Sequence, residues 1–299
     1  MSISTIISGF TDEVSDDLEI QVKALQELGW SHIDLRTVGG KNVSSLSEAE
    51  FDHVHELLCR HGIEIACFGS TVANWGRDAG RDFEQDMIDM KNSIRHMTRA
   101  GVRFIRIMSY RVEEPLPLGS SLEAVIIDNI RQIVELAEDH DLVCLHENCE
   151  TWGGQSYLHA LRLLEQIDSP ALKLVFDTGN PVAMRDVRGQ EPYGYQDPLY
   201  FFDQVREHVA YLHVKDGRMV DGTMHYCFPG EGDGHVAEIL RRLAGHQMSI
   251  PISIEPHVAV VFHDPSIKAP FDERWNNFID YGNQLVTMAE DAGIRFSLS

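Results

Sequence analysis

The stretch LVCLHE, residues 142–147, joins an apolar run to a terminal carboxylate, and this pattern recurs along the chain. Comparable runs with polar ends stand at 172–177, 210–215 and 250–255, and four earlier runs at 5–9, 32–36, 63–69 and 103–108. Most are rich in Ile, Val, Leu and Phe with little strict alternation, which is typical of strands covered on both faces. The sequence therefore predicts eight buried strands.

Longer amphipathic stretches separate these runs. The first carries leucine and valine at helical spacing and stops at Gly29, since glycine tolerates the left-handed conformation at a helix end. Ser47 and Glu50 have the spacing of a capping box, in which each side chain satisfies the other's backbone amide. The predicted helices cover 16–28, 47–62, 82–100, 121–140, 157–167, 198–208, 236–244 and 273–292.

Strands and helices thus alternate over all 299 residues, with no linker or low-complexity tract between them. Alternating βα units require a parallel sheet with right-handed crossovers, and eight units in about 250–300 residues fit a closed barrel. The rival is an open doubly wound sheet, but the first turn, GFTDE at 9–13, lacks a GxGxxG motif. We predict an α/β fold: a single (β/α)₈ TIM-barrel domain spanning residues 1–299.

The amino-acid composition indicates which classes of partner the protein is expected to bind. The 25 basic and 47 acidic residues give a net charge of −22, which disfavours nucleic acid because lysine and arginine drive binding to phosphates. No run approaches the roughly 18 apolar residues that span a bilayer, so we expect no membrane partner. The five cysteines are odd in number without CxxC spacing. A reduced, cytoplasmic setting is therefore expected.

Four consecutive predicted strands end in acidic or imidazole side chains: Glu147, Asp177, His213 and Glu255. The chemistry of a TIM barrel lies at the C-terminal ends of its strands, so these four groups converge at one mouth. Three carboxylates and an imidazole at one mouth would repel one another unless a cation lies between them. Burying such carboxylates without a partner also costs free energy. One divalent metal ion is therefore expected, with Mn²⁺ or Mg²⁺ favoured and Zn²⁺ or Co²⁺ as alternatives.

Five phrases in a fixed order resemble the xylose-isomerase-like TIM-barrel superfamily: LHEN, VFDTGN, LHVKD, PGEGDG and SIEPH. That superfamily includes ketose 3-epimerases, hydroxypyruvate isomerases, inosose isomerases and dehydratases, and apurinic endonucleases. The resemblance covers essentially the whole chain. It implies that Glu147, Asp177, His213 and Glu255 hold the metal.

The resemblance also implies a reaction. As in the sugar epimerases, Glu147 and Glu255 would transfer a proton through an enediolate of a small ketose or keto-cyclitol, while the metal stabilises its negative charge. A metal-dependent dehydratase of a keto-inositol or keto-sugar is the alternative, because expulsion of water shares the first step. A binding protein without catalytic activity is the third hypothesis.

One departure from the superfamily pattern concerns Asn180. Relatives often carry histidine three residues after the aspartate of the sixth strand, and this chain has asparagine. Asparagine still hydrogen-bonds a substrate hydroxyl, but it disfavours a second, histidine-rich metal site. An apurinic-endonuclease-like phosphodiesterase is therefore less favoured.

Further substrate contacts are expected around the same mouth. Lys215 and His257 each follow a predicted metal ligand by two residues, and this period directs side chains to the same face of a strand. His225 stands in a long predicted loop at 217–233, and Glu13 follows the first strand. A homodimer is expected only from the prevalence of two-fold assemblies.

Overall fold

The computed structural model describes residues 3–116, 118–261 and 264–297. Eight strands, numbered β1 to β8 in chain order, form one parallel sheet with order β1-β8-β7-β6-β5-β4-β3-β2. They cover Ile7–Gly9, His32–Leu35, Glu64–Gly69, Phe104–Ile107, Val143–Glu147, Leu172–Asp177, Val209–Val214 and Ile252–Ile254. The predicted (β/α)₈ barrel is confirmed.

A buried side-chain network joins the two edge strands, β1 and β2. Ser8 on β1 donates a hydrogen bond to Asp34 Oδ1 on β2 at 2.7 Å. The Tyr211 hydroxyl, on β7, donates to the same oxygen at 2.6 Å. All three residues are buried. The barrel interior therefore carries a polar layer that ties β1, β2 and β7 together.

Among the described residues, eight helices of eight residues or more, α1 to α8, follow the strands in order, and a four-residue helix at Asn180–Ala183 precedes α6. They cover Leu18–Leu28, Glu48–Arg60, Phe83–Ala100, Ser121–Glu138, Tyr157–Ile167, Pro198–Val205, Val236–Gly245 and Phe271–Asp291. The predicted capping box of α2 is present, and Gly29 ends α1 with a positive φ of 68°. Among the described residues, no helix is both long and apolar enough to cross a membrane.

The period of two along β5 decides which side chains reach the barrel interior. Val143 and Leu145 belong to the small interior cluster, which also contains Val175 of β6 and Tyr211 of β7. Cys144 packs in the larger core, which includes the apolar residues of the helices. Glu147 continues the inward series of β5 at its C-terminal end. The alternation thus directs this carboxylate to the barrel mouth.

Several segments differ from the sequence prediction, and two of them concern the barrel and its mouth. The predicted loop at 217–233 contains an antiparallel hairpin of Gly217–Val220 and Thr223–Tyr226. Its turn is Asp221-Gly222, both with positive φ, a sequence that favours tight hairpins. The predicted strand at 5–9 is divided, because Ile3–Thr5 pairs with Ile294–Phe296 outside the barrel while Ile7–Gly9 enters it.

Candidate metal centre

The four predicted ligands come together at the C-terminal mouth of the barrel. Glu147 and Asp177 are the last residues of β5 and β6, His213 precedes the last residue of β7, and Glu255 follows β8. All four are buried, and one ligand atom from each lies within 4.8 Å of the others. Opposite ligands of a divalent ion lie about 4–5 Å apart, twice the usual bond length, so this spacing fits one ion.

Hydrogen bonds fix the Asp177 carboxylate in this position. The backbone amides of Gly179 and Asn180 donate to its Oδ1 atom at 2.9 and 2.7 Å. Asn148 bonds both the amide and the carbonyl of Asp177, at 2.7 and 3.0 Å. Within the described chain, no hydrogen-bond donor satisfies Asp177 Oδ2. An orphaned buried carboxylate oxygen is the kind of atom that a metal ion satisfies.

Lys215 lies beside Asp177 Oδ2 and beside Glu255 Oε2, which likewise has no hydrogen-bond donor among the described residues. Its Nζ atom is 3.2 Å from Asp177 Oδ2 and 2.9 Å from Glu255 Oε2, as ion pairs without hydrogen-bond geometry. Lys215 also donates to Asn180 Oδ1 at 3.2 Å, and Asn180 donates to Glu147 Oε1 at 3.3 Å. Lys215 and Asn180 therefore stand at the centre, where the sequence predicted substrate contacts.

Two buried arginines hold the two glutamates. Arg106 Nη1 lies 3.2 Å from Glu147 Oε2, and Arg36 donates a short hydrogen bond to Glu255 Oε1. Burial alone would raise the pKa of Glu147, but the charges of Arg106 and His213 lower it to about 2. Burial would raise the pKa of Glu255, but the combined charges of Lys215, His257, Arg36 and His213 lower it well below its usual value. Both glutamates are therefore ionised at neutral pH.

Asp34 is the second polar partner of His213. The His213 Nδ1 atom lies 3.5 Å from Glu147 Oε1, and its Nε2 atom lies 3.6 Å from Asp34 Oδ2. Burial alone would lower the pKa of His213, but Asp34 and Glu147 raise it to about 9. Metal-binding histidines commonly donate their other ring N–H to a carboxylate, which orients the ring. Asp34 is the carboxylate beside His213 Nε2, at 3.6 Å as an ion pair just longer than a hydrogen bond.

His257 and Glu13 form a buried pair next to Glu255. The backbone amide of His257 donates to Glu13 Oε2 at 2.9 Å, and its Nδ1 atom lies 2.8 Å from Glu13 Oε1. Burial raises the pKa of Glu13 to about 8, and burial lowers the pKa of His257 to about 3. His257 lines the cavity above the centre, and Glu13 supports it from behind. Glu13 is thus placed to position His257 rather than to line the cavity itself.

His225 is not brought to the site. It is exposed on the hairpin after β7, whereas its neighbours Met224 and Tyr226 line the cavity. The reason is the alternation of side chains along a strand, which directs His225 to the opposite face. The Tyr226 ring instead packs edge-on against His257, with centroids 5.2 Å apart.

Three polar residues at the site were not predicted from the sequence to belong to it. Arg106 and Asp34 lie inside short apolar strands, FIRI and HIDL, and a charged residue within a buried strand is itself an unusual feature. Asp216 accepts hydrogen bonds from four backbone amides, those of Gly217, Gly230, Gly232 and Gly234. It thereby explains the glycines of PGEGDG, which let the chain approach this carboxylate closely.

The cavity above the centre has a volume of about 750 Å³, and its lining includes Glu147, Glu255, Lys215 and His257. A wider groove of about 1010 Å³ lies on the outer surface along Leu118, Leu158 and other residues around α5. That groove contains none of the four converging ligands. The mouth of the barrel is therefore the candidate site.

Solved structures with the same fold carry metals. An IOLI protein with a zinc atom has a TM-score of 0.73 at 14% identity, over 96% of this chain and 99% of that chain. A xylose isomerase-like TIM barrel protein from Mycobacterium smegmatis in complex with magnesium has a TM-score of 0.67 at 16% identity, over 96% and 98%. A D-tagatose 3-epimerase-like protein has 0.68 at 16% identity, over 96% and 99%.

At these identities the solved structures establish similarity of fold. No curated protein matches the sequence. Residues 22–265 match the family model described as "Xylose isomerase-like TIM barrel". Because this match covers most of the chain, the protein belongs to the xylose isomerase-like TIM-barrel family.

Proposed function

We propose that the protein is a divalent-metal-dependent isomerase or epimerase of a small ketose or keto-cyclitol. The observation that carries the proposal is the convergence of Glu147 and Glu255, both ionised, with Asp177 and His213 at one barrel mouth. The fold shared with a D-tagatose 3-epimerase-like protein supports this reaction class. Fold alone does not fix function, so the argument rests on the site.

Glu147, Asp177, His213 and Glu255 would hold the metal. A bound divalent cation supplies Lewis-acid stabilisation of the charge that develops on substrate oxygens during proton removal. Three carboxylates suit Mn²⁺ or Mg²⁺, and the imidazole also admits Zn²⁺ or Co²⁺. The magnesium and zinc in structures of the same fold support this choice.

The two glutamates carry the proton chemistry. They come from β5 and β8, so they approach a substrate carbon from different directions. One carboxylate removes the proton next to the carbonyl and later releases it to solvent, while the other takes a proton from solvent and delivers it to the opposite face or to the neighbouring carbon. Arg106 and Arg36 keep the two carboxylates in place through this exchange. Asn180 and Lys215 are placed to bind substrate hydroxyl groups.

A dehydratase is the second candidate, and Lys215 is the observation that favours it. Its ammonium group lines the cavity 2.9 Å from Glu255 Oε2, where it could protonate a departing hydroxyl group. In that case the first proton removal is the same, and water leaves from the carbon beta to the carbonyl. A product with the mass of the substrate rejects the dehydratase, whereas loss of one water rejects the isomerase.

The test is deuterium exchange at a substrate carbon in D₂O, followed by NMR over a panel of ketoses and keto-cyclitols. We expect exchange with the metal-loaded protein and a loss of about 100-fold or more in Glu147→Gln and in Glu255→Gln. Metal content is measured for each variant, so that loss of metal is separated from loss of the base. Glu165→Gln, on the exposed face of α5, is the matched control. Full exchange in both active-site variants would contradict the proposal.

A further inference from the structure

The lining of the cavity above the metal centre combines charged and apolar groups. The charged groups of the centre belong to this lining. The loops after β3, β4 and β6 add five apolar side chains, beside polar ones such as Asn74 and Gln155, and we call these five the apolar wall: Trp75, Met108, Val112, Met184 and Val187. A small sugar has polar groups on almost every carbon, so its C–H faces can cover only a small part of this wall.

The first half of the apolar wall is held by backbone hydrogen bonds between neighbouring loops. The amides of Met108 and Tyr110, after β4, donate to the carbonyls of Val72 and Ala73, after β3, at 3.2 and 2.7 Å. Asp86 on α3 accepts from the Ala73 amide at 2.9 Å. The loops that carry Trp75, Met108 and Val112 therefore form one connected, preformed surface.

The second half is fastened to the loop after β5. Gln196 donates from its side chain to the carbonyls of Gly154 and Gln155 at 2.9 and 3.0 Å. The Gln155 side chain in turn accepts from the Leu116 amide, in the loop after β4, at 3.0 Å. These bonds connect the loop of Met184 and Val187 with the loop of Val112. The loops that carry the apolar wall are thus connected to one another by hydrogen bonds.

The charges around the apolar wall disfavour an anionic occupant. Glu113, Glu114 and Glu150 are exposed at the cavity rim, and the whole chain carries a net charge of −22. Arg185, a basic residue of the same lining, stacks on the Tyr195 ring at 4.0 Å. A phosphate group beside the apolar wall would face three carboxylates, whereas a neutral group would not be repelled.

The size of the cavity agrees with an additional group on the substrate. Sites of about 300–1,000 Å³ hold drug-sized ligands, and a hexose has only about twelve non-hydrogen atoms. A volume of about 750 Å³ exceeds what one sugar ring fills. Sugar hydroxyls buried against the apolar wall would lose hydrogen bonds to water, which is unfavourable. An apolar group in the same place is favoured by its own burial.

We propose that the substrate is a ketose or keto-cyclitol that bears a neutral apolar substituent, such as an aromatic or alkyl group joined through an ether or glycosidic oxygen. The sugar ring lies at the metal centre and the substituent packs on the apolar wall. This inference rests on the proposed function for the position of the sugar ring. The binding of the substituent itself does not require turnover.

The test compares affinities for the Mg²⁺-loaded protein, measured by ligand-observed NMR. Each ketose and keto-cyclitol of a panel is paired with its benzyl ether and its phosphate ester, both placed away from the carbonyl. We expect at least one benzyl ether to bind about tenfold or more tightly than its parent, the scale of selectivity that an apolar pocket provides. If no ether gains over its parent, or if the phosphate esters bind most tightly, the inference is overturned.

Variants distinguish binding of the ether at the apolar wall from nonspecific binding. We expect the double variant Val112→Ser, Val187→Ser to lose most of the ether preference without a change in affinity for the parent sugar. Val220→Ser is the matched control, because Val220 is exposed on the hairpin and outside the cavity lining. An ether preference that survives the double variant would overturn the assignment to this wall.

Deuterium exchange, recorded on the same samples, distinguishes the two proposals. Exchange on parent sugars without any ether preference rejects the apolar substituent and retains the isomerase chemistry. Ether preference without exchange retains the substituent site and rejects the proposed chemistry.

Discussion

At the scale of single residues, the centre depends on charges that are balanced inside the barrel. Glu147 faces Arg106, Glu255 faces Arg36 and Lys215, and His213 lies between Glu147 and Asp34. Each charge is buried, so each needs its partner, because an unpaired buried charge is strongly destabilising. Substitutions of these partners should therefore change the properties of the ligands even where the ligands themselves remain.

Asp34→Asn tests this argument at His213. Asp34 Oδ2 lies 3.6 Å from His213 Nε2, and its Oδ1 atom is held by Ser8 and Tyr211. The amide has nearly the same shape but lacks the charge that makes the imidazole a better ligand. We expect metal affinity to fall about 10- to 100-fold. Calorimetric titration with Mn²⁺ measures this change.

The control is Asp139→Asn, at the exposed C-terminal end of α4, which should leave metal affinity unchanged. The histidine ring provides a second readout, because ¹⁵N NMR reports which ring nitrogen of His213 carries the proton. Unchanged affinity together with an unchanged His213 spectrum in Asp34→Asn would show that Asp34 does not orient the ring.

The convergence of Glu147, Asp177, His213 and Glu255 could be predicted from the sequence because each stands at the end of an apolar run, and strand ends in a barrel share one face. The partners that stabilise them could not be predicted in the same way. Arg106 contacts Glu147 from the adjacent strand β4, and Asp34 contacts His213 from across the barrel. Such contacts depend on the register and curvature of the closed sheet, which a period of two along one strand does not reveal.

At the scale of elements, the loop after β7 is organised around one carboxylate. Asp216 accepts four backbone amides, two of them at 2.7 and 2.8 Å. A β-carbon built on Gly234 would lie 2.7 Å from Asp216 Oδ1, and one on Gly232 would overlap Asp216 Oδ1 and the Gly217 backbone. This segment begins beside Lys215 and leads into α7, so its position affects the cavity.

Gly232→Ala should therefore force the loop to shift. We expect the free energy of unfolding to fall by about 1–3 kcal/mol, the usual cost of overpacking. Urea denaturation followed by circular dichroism measures it. Gly189→Ala is the matched control, because the nearest atom to its added β-carbon lies at 3.8 Å, and a change within about 0.5 kcal/mol is expected there. Equal stability of both variants would refute the packing argument.

The ends of helices and strands show which structural features can be predicted from local sequence patterns. The capping box at Ser47 and the glycine stop at Gly29 were predicted correctly, since both depend on residues adjacent in sequence. The Asp221-Gly222 hairpin also had a local pattern, but the apolar residues around it were too few to predict strands. The division of the first strand at Ile6 follows from pairing with Ile294–Phe296, at the other end of the chain.

At the scale of the whole molecule, the chain has a net charge of −22, whereas the mouth of the barrel holds three buried cations, Arg36, Arg106 and Lys215. Without metal, His213 adds a fourth positive charge, since its pKa of about 9 keeps it protonated at neutral pH. That proton stabilises the metal-free fold below the unfolded pKa of 6.5, and the stabilisation is lost as pH rises through 9.

Metal binding has the opposite pH dependence, because a metal ion and a proton compete for His213. Glu147 and Glu255 already bind no proton at neutral pH. We expect metal affinity to rise about tenfold per pH unit between pH 6 and 8, with at least one proton released per ion bound. Calorimetry in buffers of different ionisation enthalpy counts the protons. An affinity independent of pH over this range would contradict a protonated His213.

The account as a whole depends on one ion held by Glu147, Asp177, His213 and Glu255. Anomalous diffraction from crystals soaked in Mn²⁺ locates that ion directly. We expect one dominant anomalous peak at bonding distance, about 2.0–2.3 Å, from an atom of each of the four side chains. The absence of a peak there, or a dominant peak elsewhere in the molecule, would contradict the central claim.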